Sequence, residues 1–392
     1  MLGDKRLIRT IRLRNLLSFG PESEEVELLG LNVLIGPNGC GKSNLIHAID
    51  LLRACPRDLT KPFWEGGVAE WLWKGGGQPP VAEIDATVSY ASGPMPMPLR
   101  HRLIFGGVGQ RFGLVDEVVE SKLLNAWNGT GVFYRYKQGN PVVRGADGAE
   151  RALRREDFAA NQSVLSQLKD PVAYPEITYL GREYPGIRLY RQWDTAELRR
   201  PQKTDLPAEF LAEDASNLAI VLNSLQKQPE NWRAIVEKLG QFHEPFEGIY
   251  TEVYGGTIQL SLFEHGLNQP ISATRLSDGT LRYLCLLAIL CHPELPPLVC
   301  IEEPEIGLHP DILPTVADLL VEASQRTQLI VTTHSDALVD ALTDTPEAVL
   351  VCEKHEGSTT MRRLKTADLK DWLDTYSLGQ LWQKGELGGN RW

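Results

Sequence analysis

Residues 36–44 read GPNGCGKSN, and the fold turns on how this stretch is read. It satisfies G-x-x-x-x-G-K-[ST]. The apolar run LNVLI (31–35) precedes it, and KSNLIHAIDLLRAC (42–55) follows with apolar residues at helical spacing. Strand, glycine-rich loop and helix, in that order, make a phosphate cradle. Glycines at 36, 39 and 41 let backbone N–H groups curl round an anion, and the helix N-terminus adds its positive dipole end. Lys42 is placed for β- and γ-phosphates, and the Ser43 hydroxyl for Mg²⁺. The expected nucleotide contacts are Gly36, Pro37, Asn38, Gly39, Cys40, Gly41, Lys42, Ser43 and Asn44.

A magnesium-dependent phosphate site also calls for carboxylates. LVCIEEPEIGLHP (298–310) ends an apolar run in two adjacent glutamates. Glu302, at the end of a buried strand, is expected to hold the metal directly or through water. Glu303 points elsewhere and is expected to take the proton of an attacking water.

The flanking pattern supports a split α/β core. LIRTIRL (7–13), VAEIDATVSY (81–90), PLRHRLIF (98–105) and GVFYRYKQG (131–139) read as strands. Residues from about 145 to 245 are polar, charged and helix-prone. TEVYGGTIQLSLFEHG (251–266) reads as a hairpin. Beyond 277 helices alternate with strands: LRYLCLLAILC, PLVCIEE, ILPTVADLLVEAS and QLIVTTHS, then AVLVCEKHE. That is the signature of a parallel sheet with covering helices. The division expected is 1–140 (phosphate loop and an antiparallel β-subdomain), 141–245 (a mainly helical insertion) and 246–392 (the second half of the α/β head).

Composition excludes several classes. The chain has 392 residues, 42% hydrophobic and 23% charged, ordinary for a globular protein. No apolar run of about 20 residues predicts a transmembrane helix, and the start does not resemble a secretory signal. Six cysteines lack any C-x-x-C pair, which fits a reducing cytoplasm. Three of them, Cys285, Cys300 and Cys352, read as small core residues. A net charge of −11 disfavours nonspecific attraction to nucleic acid, so any such contact needs a local basic patch.

With LSDGT (276–280) and VTTHS (331–335) added, the motif set resembles the ABC-type ATPases of the SMC-like and RecF-like branch. Within that branch it resembles the bacterial predicted ATPases of the AAA_21 and OLD-type group, without a TOPRIM domain. The ending LGQLWQKGELGGNRW (378–392) is similar to members of that group. The resemblance covers about 1–60 and 270–392 well and the middle poorly. LSDGT resembles the LSGGQ signature, with Asp278 and Thr280 as departures. EIGLHP resembles the D-loop region. Glu302 stands where many ABC proteins have aspartate. The resemblance implies an ABC-type P-loop head that uses ATP and Mg²⁺ and pairs into a homodimeric ATP sandwich. Ser277 and Gly279 would then meet the γ-phosphate bound by the other copy, and His334 would be the switch histidine. By itself, LSDGT is a serine cap before a helix. Gln78, Gln110 and Gln192 are candidates for the glutamine loop, and Arg14, Asn15 and Phe19 for the adenine site.

Roughly 230 residues separate Ser43 from Ser277. They carry no sustained heptads, so a compact lobe is expected rather than a long coiled-coil arm. REYPGIRLYRQWDTAELRRPQK (182–203) interleaves Arg182, Arg188, Arg191, Arg199, Arg200 and Lys203 with Tyr184, Tyr190 and Trp193. Upstream lie Arg151, Arg154 and Arg155. Such a mixture serves either a nucleic-acid groove or a solvated face over buried aromatics. The leading functional expectation is an ATP-driven switch in DNA repair or antiviral defence, with DNA and a separate nuclease or toxin effector as candidate partners. A slow regulatory scaffold and a transporter's ATP-binding subunit share the motifs.

Overall fold

The computed structural model describes residues 5–75, 81–90, 97–108, 111–121, 123, 131–137, 139–154, 156, 159, 161–243 and 245–389. Gln78, Gln110 and Arg155 lie outside them. The chain forms two compact units. The first comprises residues 1–187, 350–363 and 388–392, the second 188–349 and 364–387.

The first unit carries the expected antiparallel β-subdomain. Its eight strands are β1 (Ile8–Arg14), β2 (Val26–Glu27), β4 (Val81–Val88), β5 (Leu99–Val108), β6 (Arg111–Glu120), β7 (Val132–Lys137), β8 (Asn140–Arg144) and β9 (Glu150–Ala152). They lie in the order β2-β1-β4-β5-β6-β7-β8-β9. Period-two alternation decides the faces. Ile84, Ala86, Leu103 and Phe105 are buried. On the other face cross-strand ion pairs join Arg12 to Asp85 (2.7 Å), Arg100 to Asp85 (2.6 Å) and Glu120 (2.7 Å), and Arg102 to Asp116 (3.1 Å). This ladder pairs neighbouring cations with anions and leaves no one-signed basic field of the kind phosphate backbones attract.

The same unit holds β3 (Leu31–Ile35), buried along its whole length, and α1 (Lys42–Ala54), which buries Leu45, Ile46, Ile49 and Leu52. Helices α2 (Val164–Gln167) and α3 (Pro175–Glu183) follow the sheet. A wholly buried polar cluster ties them to it. His101 Nε2 lies 3.1 Å from Glu117 Oε1 and its Nδ1 3.2 Å from the Tyr184 hydroxyl, while Glu117 Oε2 accepts from the Val164 N–H at 2.9 Å. Ser163, whose hydroxyl donates to Glu117 Oε1 at 2.5 Å, joins them, but with Ser163, His101 and Glu117 all at 0% exposure the cluster is out of a substrate's reach and is structural.

In the second unit three parallel strands pair side by side: β10 (Arg188–Tyr190), β15 (Leu298–Glu302) and β16 (Gln328–Thr332). β15 is buried up to Glu302 and β16 along its whole length, as strands of a parallel sheet covered on both faces are. Helices α4 (Thr195–Leu198), α5 (Leu218–Leu225), α6 (Pro229–Phe242), α7 (Asp278–Leu290), α8 (Leu313–Ser324), α9 (Asp336–Asp340), α10 (Thr366–Leu373) and α11 (Leu378–Lys384) belong to this unit. A smaller sheet orders β11 (Gln202–Lys203), β13 (Thr257–Glu264) and β12 (Phe246–Tyr254), with β14 (Ile271–Ser272) on β13. The β12–β13 turn has φ of 59° at Gly255 and 81° at Gly256, the left-handed pair a tight hairpin requires.

Candidate functional site

The phosphate loop begins where β3 ends. Gly36, Gly39 and Gly41 have φ of 144°, 76° and 112°, a region L side chains rarely occupy. A Cβ on Gly36 would meet the Cys352 carbonyl oxygen at 2.2 Å. One on Gly41 would meet Thr359 Oγ1 at 2.2 Å, whereas one on Gly39 would meet nothing within 4 Å among the described residues beyond its chain neighbours. The loop is thus pinned at its base and open at its apex, where Asn38 and Gly39 are exposed. Lys42 is 6% exposed and donates from Nζ to the carbonyls of Gly36 (2.8 Å) and Pro37 (3.2 Å). A buried ammonium held over an open ring of glycine amides at a helix start fits a polyphosphate.

The residues pinning the loop come from far away in sequence. They lie on the segment after β1 and on the hairpin of β17 (Val349–His355) and β18 (Ser358–Arg363). Thr359 Oγ1 donates to the Cys40 carbonyl at 2.6 Å and lies 2.6 Å from Ser18 Oγ, which accepts from Asn44 Nδ2 at 2.8 Å. Cys352 hydrogen-bonds the Cys40 thiol and, with Lys42 adding to it against burial, lowers it to about 6. The Cys352 thiol itself is pushed up by burial. Beside the loop lies a cavity of about 430 Å³ lined by Leu17, Ser18, Gly39, Asn44, Trp73 and Lys354. A second of about 480 Å³ is lined by Phe19, Trp73, His355 and Met361. Phe19, one of the residues the sequence offers for an adenine site, lines the second cavity; Trp73, Lys354, Ser18 and Thr359 carry no local signal in the sequence.

In the second unit β15 ends at Glu302, as the sequence predicts, and Arg191 Nε stands 3.3 Å from its carboxylate. Glu303 has φ of 49°, a left-handed conformation for a side-chain-bearing residue, and its N–H donates to the Thr332 carbonyl at 2.9 Å. This turn separates the two carboxylates. His334 follows β16, with Nε2 3.7 Å from Glu303 Oε1. Glu305, not singled out from sequence, accepts from Thr333 Oγ1 at 2.7 Å and from the His334 N–H at 2.8 Å. Burial and the charge of Glu303 push its carboxyl upward against those two bonds. Gln192, the described glutamine-loop candidate, is exposed just beyond β10, whose Tyr190 pairs with Ile301.

Among the described residues no cluster of three or more His, Cys, Asp or Glu could hold a metal ion.

The signature segment starts α7. Ser277 Oγ accepts the Thr280 N–H at 3.0 Å, as a serine cap should. Arg199 pairs with Asp278 and donates to the Leu276 carbonyl at 3.0 Å. A Cβ on Gly279 would meet the Gly307 carbonyl at 2.5 Å, so this glycine lets the signature helix touch the segment after the carboxylates. A cavity of about 460 Å³ opens beside Ser277, Thr280 and His309.

The basic and aromatic stretch 182–203 resolves into core. Tyr184, Tyr190 and Trp193 are 0%, 1% and 8% exposed, and the Tyr190 hydroxyl donates to the Leu211 carbonyl at 2.6 Å. No base can stack on rings so buried. Arg191 and Arg199 are engaged with Glu302 and Asp278.

Over residues 31–80 and 128–340, well over half of its length, the chain matches the family described as AAA domain, putative AbiEii toxin, Type IV TA system. No curated protein matches it in sequence. Among solved structures it is similar to an SMC head bound to the C-terminal winged-helix domain of ScpA, with a TM-score of 0.58 and 15% identity over 92% of this chain and 99% of that one. It is also similar to the SMC head of Pyrococcus furiosus with an extended coiled coil bound to the C-terminal domain of ScpA (0.58, 13%, 94% and 98%). A third is the SMC head of Pyrococcus yayanosii with a coiled coil and joint (0.52, 10%, 94% and 99%). At these identities the likeness is one of fold. The chain belongs to the family of AAA domains that includes the putative AbiEii toxins, with the fold of an SMC-like, ABC-type P-loop head.

Proposed function

We propose that the protein binds ATP with Mg²⁺, hydrolyses it, and pairs with a second copy around the bound nucleotide. The observation that carries this reading is the loop itself: three glycines at positive φ, an open apex at Gly39, and Lys42 buried over the ring. Backbone amides of residues 36–44 take the phosphates, Lys42 neutralises them, and Ser43 and Glu302 are the metal's protein oxygens. The metal offsets phosphate charge when bound. Glu303 accepts the proton of the attacking water, and His334 holds the γ-phosphate side of the site. Trp73 and Lys354 flank the nucleoside end. Ser277 and Gly279 present a capped helix start to the nucleotide on the second copy.

The cellular role that fits is a nucleotide-timed switch in DNA repair or antiviral defence acting with a separate effector. The family's description, which names a putative toxin and a toxin–antitoxin system, favours a second reading, a slow ATPase scaffold that restrains a toxin or nuclease. Buried aromatics in 182–203 and the neutralised sheet face give direct DNA contact less support than nucleotide binding.

The test is Glu303→Gln. Expected are retained ATP binding, hydrolysis slowed by ~10²–10⁴-fold, and an ATP-dependent dimer in sedimentation. Wild-type turnover in that variant removes Glu303 from the chemistry. ATPase rates with and without duplex DNA separate a DNA-acting switch, which is stimulated, from a scaffold, which is indifferent.

A further inference from the structure

We propose that Glu305 is a positioning residue, holding Glu303 and His334 in the geometry that hydrolysis needs; this rests on the hydrolytic reading of those two residues. After Glu303 the chain turns back through Pro304, with the Ile306 N–H donating to the Glu303 carbonyl at 3.1 Å. The turn returns the Glu305 carboxylate to the end of β16. There one oxygen, Oε1, takes both the Thr333 hydroxyl and the His334 N–H. Thr333 Oγ1 in turn accepts the Ser335 N–H at 3.0 Å, and Ser335 Oγ accepts the Leu338 N–H at 3.3 Å to cap α9. With the bond from the Glu303 N–H to the Thr332 carbonyl, the carboxylate turn and the histidine turn become one hydrogen-bonded unit. His334 Nε2 and Glu303 Oε1 face each other across it.

The other oxygen of Glu305, Oε2, is buried and has no hydrogen-bond partner among the described residues. A buried acceptor left open is costly. A neutral side chain would fill the space more cheaply, and Glu303 stands close enough to oppose a second negative charge. What the carboxylate supplies is a strong acceptor for two donors at once, at a place where a shift of about 1 Å costs about 10²-fold in rate.

Glu305→Ala, Glu305→Gln and Thr333→Val are compared with wild type and Glu303→Gln in the full chain. The readouts are kcat, KM, affinity for a fluorescent ATP analogue, and melting temperature. Expected is a kcat about 10- to 100-fold lower in Glu305→Ala, with nucleotide affinity within about twofold of wild type. Glu305→Gln, whose amide oxygen can accept the same two bonds, recovers most of the rate. Unchanged kcat in Glu305→Ala beside an impaired Glu303→Gln overturns the positioning role, as does a folded Glu305→Gln no better than alanine. Wild-type hydrolysis by Glu303→Gln overturns the hydrolytic reading instead. Should Glu305→Ala fail to fold, Thr333→Val decides: a loss of about tenfold in kcat at constant affinity supports the proposal, and wild-type kcat overturns it.

Discussion

Two stretches of this chain, 36–44 and 182–203, both advertise anion binding, and they fare differently in three dimensions. The first is a loop whose chemistry is carried by its backbone. Its glycines, its lysine and the helix start are enough to define what it holds, so it reads the same in sequence and in space. The second is defined by side chains, and a side chain's meaning depends on which way it faces. Tyr184 abuts His101, Tyr190 bonds the Leu211 carbonyl and Trp193 is buried. Arg191 stands against the Glu302 carboxylate. Backbone motifs transfer from sequence to function; interleaved side-chain patterns do so only after burial is known.

The comparison breaks most sharply at Lys42. Lys42→Ala is expected to lower ATP affinity or turnover by ~10²–10³-fold, read by analogue binding and phosphate release. A variant with wild-type affinity would show that the loop is not the anchor. Next comes Tyr184→Ala. If that ring is core, the fold loses about 3–5 kcal/mol, measured by urea denaturation. A loss of DNA affinity at unchanged stability would instead restore the nucleic-acid reading.

A smaller effect follows pH. His292, which packs on Phe210, has its pKa lowered by burial. The folded state therefore binds its proton less readily than the unfolded chain. Its stabilising contribution is complete above the ordinary histidine value near 6.5 and is lost as pH falls through the depressed folded value. Melting temperatures of wild type and His292→Gln should converge as the pH drops below about 6.5, and parallel curves would refute the assignment. Smallest of all, Arg200→Ala, at an exposed residue paired with Glu197 at 2.6 Å, should change stability by no more than about 0.5 kcal/mol. A large fall in DNA binding there would reopen the basic patch.

Much of the candidate site was legible without coordinates. Strand, glycine loop and helix, the paired glutamates at a strand end and the histidine after β16 all lie where local pattern put them. Less legible were Ser18, Trp73, Lys354 and Thr359, because the atoms they touch belong to segments up to 341 positions away. Glu305 was passed over for the same reason: its donors, Thr333 and His334, sit nearly thirty residues further on. Gly279 looked like a ligand contact and is also a packing necessity, since only a residue without a Cβ lets the Gly307 carbonyl approach.

The sequence alone determined which backbone conformations were open to the loop, which strands were apolar on both faces, and that paired carboxylates end one of them. These are local consequences of glycine's missing side chain and of hydrophobic periodicity. Tertiary structure alone decided which polar side chains become partners and which aromatic rings are hidden from solvent. Both depend on contacts between distant segments, and a linear pattern carries no record of which segments will meet.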